Sequence, residues 1–161
     1  MNGSAIAPGL LFASLALALS FGASNRVIAI SVVVLIATAL AAGTSRIGSG
    51  FAGPVLAGCW ISVPATVGCM FLSRPLGARI TVPLCVNGGL WGGLAAAASA
   101  RPIDLVPALF WVLLCLPATW LVARGQGIAI KVAGSWLAAA AVLSLGLNMT
   151  STLGYQPDHM E

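Results

Sequence analysis

The stretch ITVPLCVNGGLWGGLAAAASA, residues 80–100, decides the fold of this chain. It contains no charged residue, and a helix needs about 20 apolar residues to cross the core of a bilayer. At its centre lie two overlapping glycine pairs, Gly88/Gly92 and Gly89/Gly93. Because four residues make close to one helical turn, each pair lies on one face of the helix, where another helix can approach closely. The stretch therefore predicts the packing centre of a helical bundle inside a membrane.

The composition extends this interpretation to the whole chain. Of the 161 residues, 60% are hydrophobic and only 6% are charged, and the mean hydropathy is +1.06. Soluble domains carry about 25% charged residues, so this chain has too few of them to cover a surface exposed to water. The seven basic residues give a net charge of +4, but they stand singly between apolar runs. They indicate membrane topology, so we expect the lipid bilayer, and no nucleic acid, as a partner.

Six windows are long and apolar enough to be membrane spans, and they cover residues 5–24, 27–44, 50–72, 80–100, 105–123 and 128–148. The connections between them are short, which places consecutive helices side by side and antiparallel. We therefore predict an all-α integral membrane protein. It consists of one compact six-helix transmembrane bundle, residues 1–148, and a short exoplasmic tail, residues 149–161. No basic residue precedes Arg26, so the first window is interpreted as a span and not as a signal peptide.

The basic residues are divided unevenly between the two ends of this bundle. Five belong to the first, third and fifth connections and two to the others: Arg26, Arg74, Arg79, Arg124 and Lys131 against Arg46 and Arg101. Cytoplasmic loops carry the excess of Lys and Arg. We therefore expect the odd-numbered connections in the cytoplasm and both termini on the exoplasmic or periplasmic side. The compact, loop-poor chain is typical of the cytoplasmic (inner) membrane of a bacterium.

Two windows share a motif. The segments PVLAGCWISVPAT and PALFWVLLCLPAT start 53 residues apart, at Pro54 and Pro107, and each has a second proline ten residues after the first. This spacing favours a tandem helical-hairpin repeat with pseudo-symmetry, as in transporters built from parallel repeats. Chance matching in a chain rich in Ala, Leu, Pro and Gly is the alternative.

Five prolines fall inside the predicted spans: Pro54, Pro64, Pro83, Pro107 and Pro117. Each lacks a backbone N–H and leaves a carbonyl about one turn earlier without its helical partner, so each predicts a kink. The kinked third and fifth helices either line a path and act as hinges, or they are static bends that fit the bundle. Thr66 and Thr119 each follow a proline by two residues and offer hydroxyl groups near the freed carbonyls.

Asn87 and Asp104 are two further polar residues. Together with Thr66 and Thr119 they form a candidate path for a substrate or ion. Asn87 lies at membrane depth, where it either binds a small polar solute or ion or forms a hydrogen bond between helices. Asp104 is the only acid before the tail. It either binds a proton or cation at the mouth of a pathway, or it stabilises the start of the fifth helix together with Arg101, three residues earlier.

The motifs that are missing exclude several activities. The sequence contains no H-E-x-x-H and no phosphate-binding loop, and its single histidine, His159, lies in the tail. We therefore expect no enzyme activity, no cofactor and no metal site.

Two hypotheses of function remain. The first is a small permease or channel-like protein for a small solute or ion, which at this size would work as a homo-oligomer with the Gly88–Gly93 face as a candidate contact. The second is a non-catalytic subunit or assembly factor of a larger membrane complex. The scarcity of charged groups in the predicted spans fits the second hypothesis equally well. It counts against coupled transport, which usually uses an intramembrane acid or base.

Overall fold

The computed structural model describes residues 6–22, 24–45, 51–72, 76–98 and 105–150. Within these ranges the chain forms helices and no β-strand, so the predicted all-α class is confirmed. Six helices are described: α1 Ile6–Leu19, α2 Asn25–Gly43, α3 Ala52–Cys69, α4 Ala78–Ala98, α5 Leu105–Ala123 and α6 Gly127–Thr150.

Five of the described helices, α2 to α6, are long and apolar enough to cross a membrane. Helix α1 has 14 residues, which at 1.5 Å per residue is about 21 Å, less than the roughly 30 Å of a bilayer core. The described part of the chain therefore has five candidate spans and one shorter apolar helix.

Helix α1 lies at the centre of the bundle. Its side chains from Ala7 to Ser20 are buried, apart from the half-buried Leu10. Helices α3, α4, α5 and α6 all pack against it. We expected the packing centre in residues 80–100, and α4 does pack against α1, α2 and α3 with its four central glycines buried, while Val86 and Leu90 are exposed on its outward side.

The second glycine pair of α4 faces α2. A Cβ atom added to Gly89 would lie 2.8 Å from the carbonyl oxygen of Leu35 and would also meet the hydroxyl of Thr38. A Cβ atom added to Gly93 would meet the carbonyl oxygen of Ala39 and lie 2.9 Å from the backbone nitrogen of Gly43. Since backbone atoms of α2 are among the neighbours of both glycines, the main chains of the two helices approach closely at these positions.

The first glycine pair of α4 faces α1. A Cβ atom added to Gly88 would meet the side chain of Leu15, and one added to Gly92 would lie 2.5 Å from the ring of Phe12. The contacted atoms are the ends of side chains, which adjust more easily than backbone. Within one chain, the two glycine pairs thus serve two different helices. The glycine face is therefore occupied and does not provide the contact between subunits that we expected.

Hydroxyl groups add polar links between α2 and α4. The Ser31 hydroxyl donates to Thr81 Oγ1 at 2.9 Å, and the Thr81 hydroxyl donates to the carbonyl oxygen of Gly77 at 3.3 Å. Both side chains are buried. A chain of this kind satisfies polar groups that would otherwise be costly in an apolar interior.

One end of the bundle gathers the described basic residues. The Leu76 N–H donates to the Phe21 carbonyl at 3.0 Å, which joins the segment after α1 to the connection before α4. The Lys131 ammonium lies 5.7 Å from the ring centre of Phe21, so the start of α6 is at this end too. Arg26 and Arg124 are exposed there, at the start of α2 and the end of α5. We call this end of the bundle the basic end.

The hairpin between α5 and α6 closes at the basic end through a glycine. Gly125 has φ +80°, a conformation that side-chain-bearing residues rarely adopt. Its N–H donates to the Val122 carbonyl at 3.0 Å, and the N–H of Gln126 donates to the Leu121 carbonyl at 3.0 Å. These bonds terminate α5 and allow α6 to begin at Gly127.

The contacts of Gly93 lead to a stability prediction. We expect Gly93→Ala to destabilise the protein by about 1–3 kcal/mol, because the added methyl group has no space against the backbone of α2. The measurement is the apparent unfolding temperature of the purified protein in detergent. The matched control is Gly68→Ala on α3, since a Cβ atom at Gly68 would have no neighbour within 4 Å. Equal unfolding temperatures for the two variants would contradict the packing described here.

Candidate polar site between the third and fourth helices

A cluster of polar side chains joins α3 to α4. The Asn87 side-chain amide donates from Nδ2 to the Ser62 hydroxyl oxygen at 2.9 Å, and Asn87 Oδ1 accepts a hydrogen bond from Trp91 Nε1 at 3.1 Å. Ser62 is buried, while Asn87 and Trp91 are half-buried. Asn87 therefore points into the protein and holds a hydrogen bond between two helices. We call Ser62, Asn87 and Trp91 the polar cluster.

Neighbouring groups on α3 support this cluster. The Thr66 hydroxyl donates to the Ser62 carbonyl at 2.7 Å, and the Cys59 thiol donates to the Trp91 carbonyl at 3.3 Å. Gly58 makes room for the indole, since a Cβ atom on it would lie 2.5 Å from the Trp91 ring. The positions of Asn87 and Trp91 are therefore set by small or hydrogen-bonding residues on the opposite helix.

The polar cluster is deep and neutral. Ser62 and Asn87 lie near the middle of α3 and of α4, respectively. None of the three side chains is ionisable near neutral pH, so the cluster can donate and accept hydrogen bonds but cannot act as an acid or a base. It offers the chemistry of a small neutral binding site.

The four residues predicted to form a path do not come together. Thr66 is buried beside the polar cluster. Thr119 lies on α5, where its hydroxyl donates to the Leu116 carbonyl at 2.8 Å. Asp104 lies outside the described residues. Of the predicted path, the structure thus brings together Asn87 and Thr66.

The five prolines have different surroundings. Pro64 and Pro83 lie inside α3 and α4, whereas Pro54 and Pro107 lie in the first turns of α3 and α5, where the missing N–H has no helical partner. Pro117 follows a break in α5, because Trp111–Leu114 form a 3₁₀ segment between the α-helical pieces Leu105–Phe110 and Cys115–Ala123. The clearest departure from regular helix geometry that accompanies a proline is therefore in α5.

A groove of about 560 Å³ separates α2 from α5. Ile28, Val32 and Leu116 are among the apolar side chains that line it, and Asn25 and Thr119 are its polar residues. Asn25 begins α2 and Thr119 lies near the end of α5, so the polar part of the groove is at the basic end.

Sequence reasoning missed several of these residues. Trp91 follows Asn87 by four residues, a spacing that places both on one helix face and that could have indicated their hydrogen bond. Ser62 and Cys59 carry no comparable signal, because their place opposite Asn87 depends on how α3 and α4 are aligned. The groove was missed for the same reason.

Fold and site together define the class of this molecule: it is a multi-pass helical membrane protein. Comparison of the chain with protein-family models, with curated proteins and with solved structures gave no match.

The hydrogen bond between Ser62 and Asn87 can be measured by a double-mutant cycle. We expect Ser62→Ala and Asn87→Ala to be coupled by about 0.6 kcal/mol and by no more than about 1.7 kcal/mol, the range found for such bonds between membrane helices. Unfolding by SDS in mixed micelles provides the free energies.

The control cycle pairs Asn87→Ala with Ser135→Ala. Ser135 is exposed on α6, and its hydroxyl bonds to the Val132 carbonyl of its own helix. We expect additive effects for this pair. A Ser62–Asn87 coupling no larger than that of the control would contradict the bond.

Proposed function

We propose that this chain is a small permease or channel-like protein that moves a small polar solute across the cytoplasmic membrane of a bacterium. The observation that carries the proposal is the polar cluster at mid-depth between α3 and α4, two helices that contain Pro64 and Pro83. Transporters commonly bind their substrates near the middle of the bilayer.

The polar cluster keeps hydrogen-bonding capacity for a ligand. One amide hydrogen of Asn87 and the hydroxyl hydrogen of Ser62 have no partner among the described residues. Because the cluster holds no charge, it would compensate the desolvation of an ion poorly. These features favour an uncharged polar solute over an ion.

Helix α5 is the element that we propose to move. Its 3₁₀ segment, Trp111–Leu114, lies between two prolines and packs against the buried helix α1. Short 3₁₀ segments inside helices often mark hinges. In the proposed hairpin repeat, α3 and α5 are equivalent, and α5 is the copy with the broken geometry.

We further propose that α1 is the sixth span. It is enclosed by other helices, so its length need not match the lipid thickness. In this topology the basic end faces the cytoplasm and both termini lie on the opposite, exoplasmic side. The excess of basic residues at the first, third and fifth connections supports this orientation.

The proposal is tested by solute flux in proteoliposomes. We expect the protein to raise the permeability to glycerol or urea above that of protein-free liposomes, as followed by light scattering after an osmotic jump. Asn87→Ala should lower this protein-dependent permeability about ten-fold, because a lost hydrogen bond to the solute costs on the order of 1–1.5 kcal/mol. Flux of K⁺ is the charged comparison, and we expect no increase in it.

Ser135→Ala serves as the matched control and should leave the flux unchanged. The proposal fails if the protein raises the permeability to neither solute. It also fails if Asn87→Ala, at normal expression and unfolding temperature, conducts as well as the unaltered protein.

The second candidate function, a non-catalytic subunit of a larger membrane complex, is favoured by a different observation. Among the described residues, every buried polar side-chain atom already has a hydrogen-bond partner. A chain whose buried polar atoms each have a partner needs no ligand to satisfy its interior, which agrees with action through its outer surface. That surface exposes large apolar side chains on α5 and α6, including Phe110, Leu116 and Trp136.

Subunit composition distinguishes the two candidates. For a permease we expect a tagged copy, mildly extracted from its native membrane, to form particles whose mass is a whole multiple of the 16.2 kDa chain plus its tag. We expect more than one copy, since six short helices enclose little volume, with contacts through the outer faces of α5 and α6. Native mass spectrometry measures the mass of the particle and the number of copies in it. A stoichiometric foreign protein in the particle would replace the permease proposal with the subunit proposal.

A further inference from the structure

We infer that the groove between α2 and α5 is a binding site for an anionic phospholipid of the leaflet at the basic end. The groove is apolar along most of its length, it has polar residues at one end only, and two arginines lie at that end. This inference is independent of the proposed transport activity.

The length of the groove matches one leaflet. It extends along α2 from Asn25 to Val33 and along α5 from Thr119 to Val112. Eight residues of helix rise about 12 Å, and half of a bilayer core is about 15 Å. The groove therefore covers the depth of one acyl chain from the basic end to near the middle of the bundle. Its volume, about 560 Å³, is within the roughly 300–1,000 Å³ of sites for small ligands.

The lining of the groove fits an acyl chain. Ile28, Val32, Val112 and Leu116 supply apolar surface on both sides. The face of α2 that packs on α4 is a different one, which includes the buried residues Ser31, Leu35 and Ala39. The groove is thus a surface that the packing of α2 leaves uncovered.

The charges at the basic end determine the headgroup. Arg26 directly follows Asn25, and Arg124 directly follows α5, five residues beyond Thr119. Both arginines are exposed, and the guanidinium of Arg124 stacks on the Trp120 ring at 3.7 Å. The described ranges contain no acidic residue, so no described negative charge opposes the two arginines. Basic residues beside a gap between membrane helices favour anionic headgroups.

The test is lipid binding to the full chain in detergent, followed by native mass spectrometry. The probes are phosphatidylglycerol and phosphatidylcholine with identical acyl chains. We expect phosphatidylglycerol to bind about 30-fold more tightly, the preference that two arginines near the headgroup provide. The double variant Arg26→Gln/Arg124→Gln should bind both lipids equally. A retained preference in that variant would overturn the assignment of the headgroup.

A second variant tests the position of the acyl chain. Ala29 lines the groove and is exposed, so Ala29→Phe fills the groove without entering the contact between α2 and α4. We expect at least about a ten-fold loss of binding for both lipids. The matched control is Ala133→Phe, since Ala133 is exposed on α6 at a similar depth from the basic end. If Ala29→Phe does not fold, Val33→Phe at the deep end of the groove replaces it. Equal binding by the groove variant and the control would overturn the inference.

Discussion

The close approach of the α4 backbone to two neighbouring helices is the constraint on which the rest of this structure depends. Inside a bilayer, lipid tails are as apolar as leucine, so helices gain little from burying apolar side chains against each other and must instead gain from tight packing. Gly89 and Gly93 bring α4 onto the main chain of α2, while Gly88 and Gly92 accept Leu15 and Phe12 of α1. Adjacent residues on a helix are about 100° apart, so two overlapping pairs open two faces. The position of α1 at the centre follows from this double role of α4.

The sequence allowed the class of the molecule to be predicted, because long uncharged runs in a chain with so few charges have no other stable environment than a membrane. It did not allow α1 to be identified as the central helix. In a soluble protein, a helix that is apolar on every side is buried, but in a membrane the lipid-facing helices are apolar on every side as well. Helices α1 and α2 look alike by this criterion, yet α1 is enclosed and α2 exposes Ile30, Val33 and Leu40. Only the contacts between helices distinguish an enclosed helix such as α1 from an exposed helix such as α2.

In the candidate site, too, some features were predictable from the local sequence, while others depend on how distant helices are aligned. That Asn87 faces the protein interior was predictable, because an unpaired amide in lipid is costly. Its partner on α3 was not, since Ser62 is 25 residues away and reaches Asn87 only in one alignment of the two helices. Thr66 and Thr119 looked equivalent in the sequence, each following a proline. They are separated because α3 packs beside α4, whereas α5 packs mainly on α1 and borders the groove.

Helix α1 packs against both the glycine-rich stretch of α4 and the 3₁₀ segment of α5, two features that the sequence does not relate to each other. Its Leu15 and Phe12 lie against Gly88 and Gly92 of α4, which follow Asn87 by one and five residues, and α1 also packs against the 3₁₀ segment of α5. A shift of α5 would therefore act on α1, which packs against α4, the helix that carries Asn87 and Trp91. The contacts between α1 and α4 indicate where resistance to such a shift would arise. Gly88 and Gly92 meet the ends of side chains, whereas Gly89 and Gly93 meet backbone atoms of α2 as well as side chains. The contact between α4 and α2 thus involves the main chain of α2, whereas the contact between α4 and α1 is made by side-chain ends of α1.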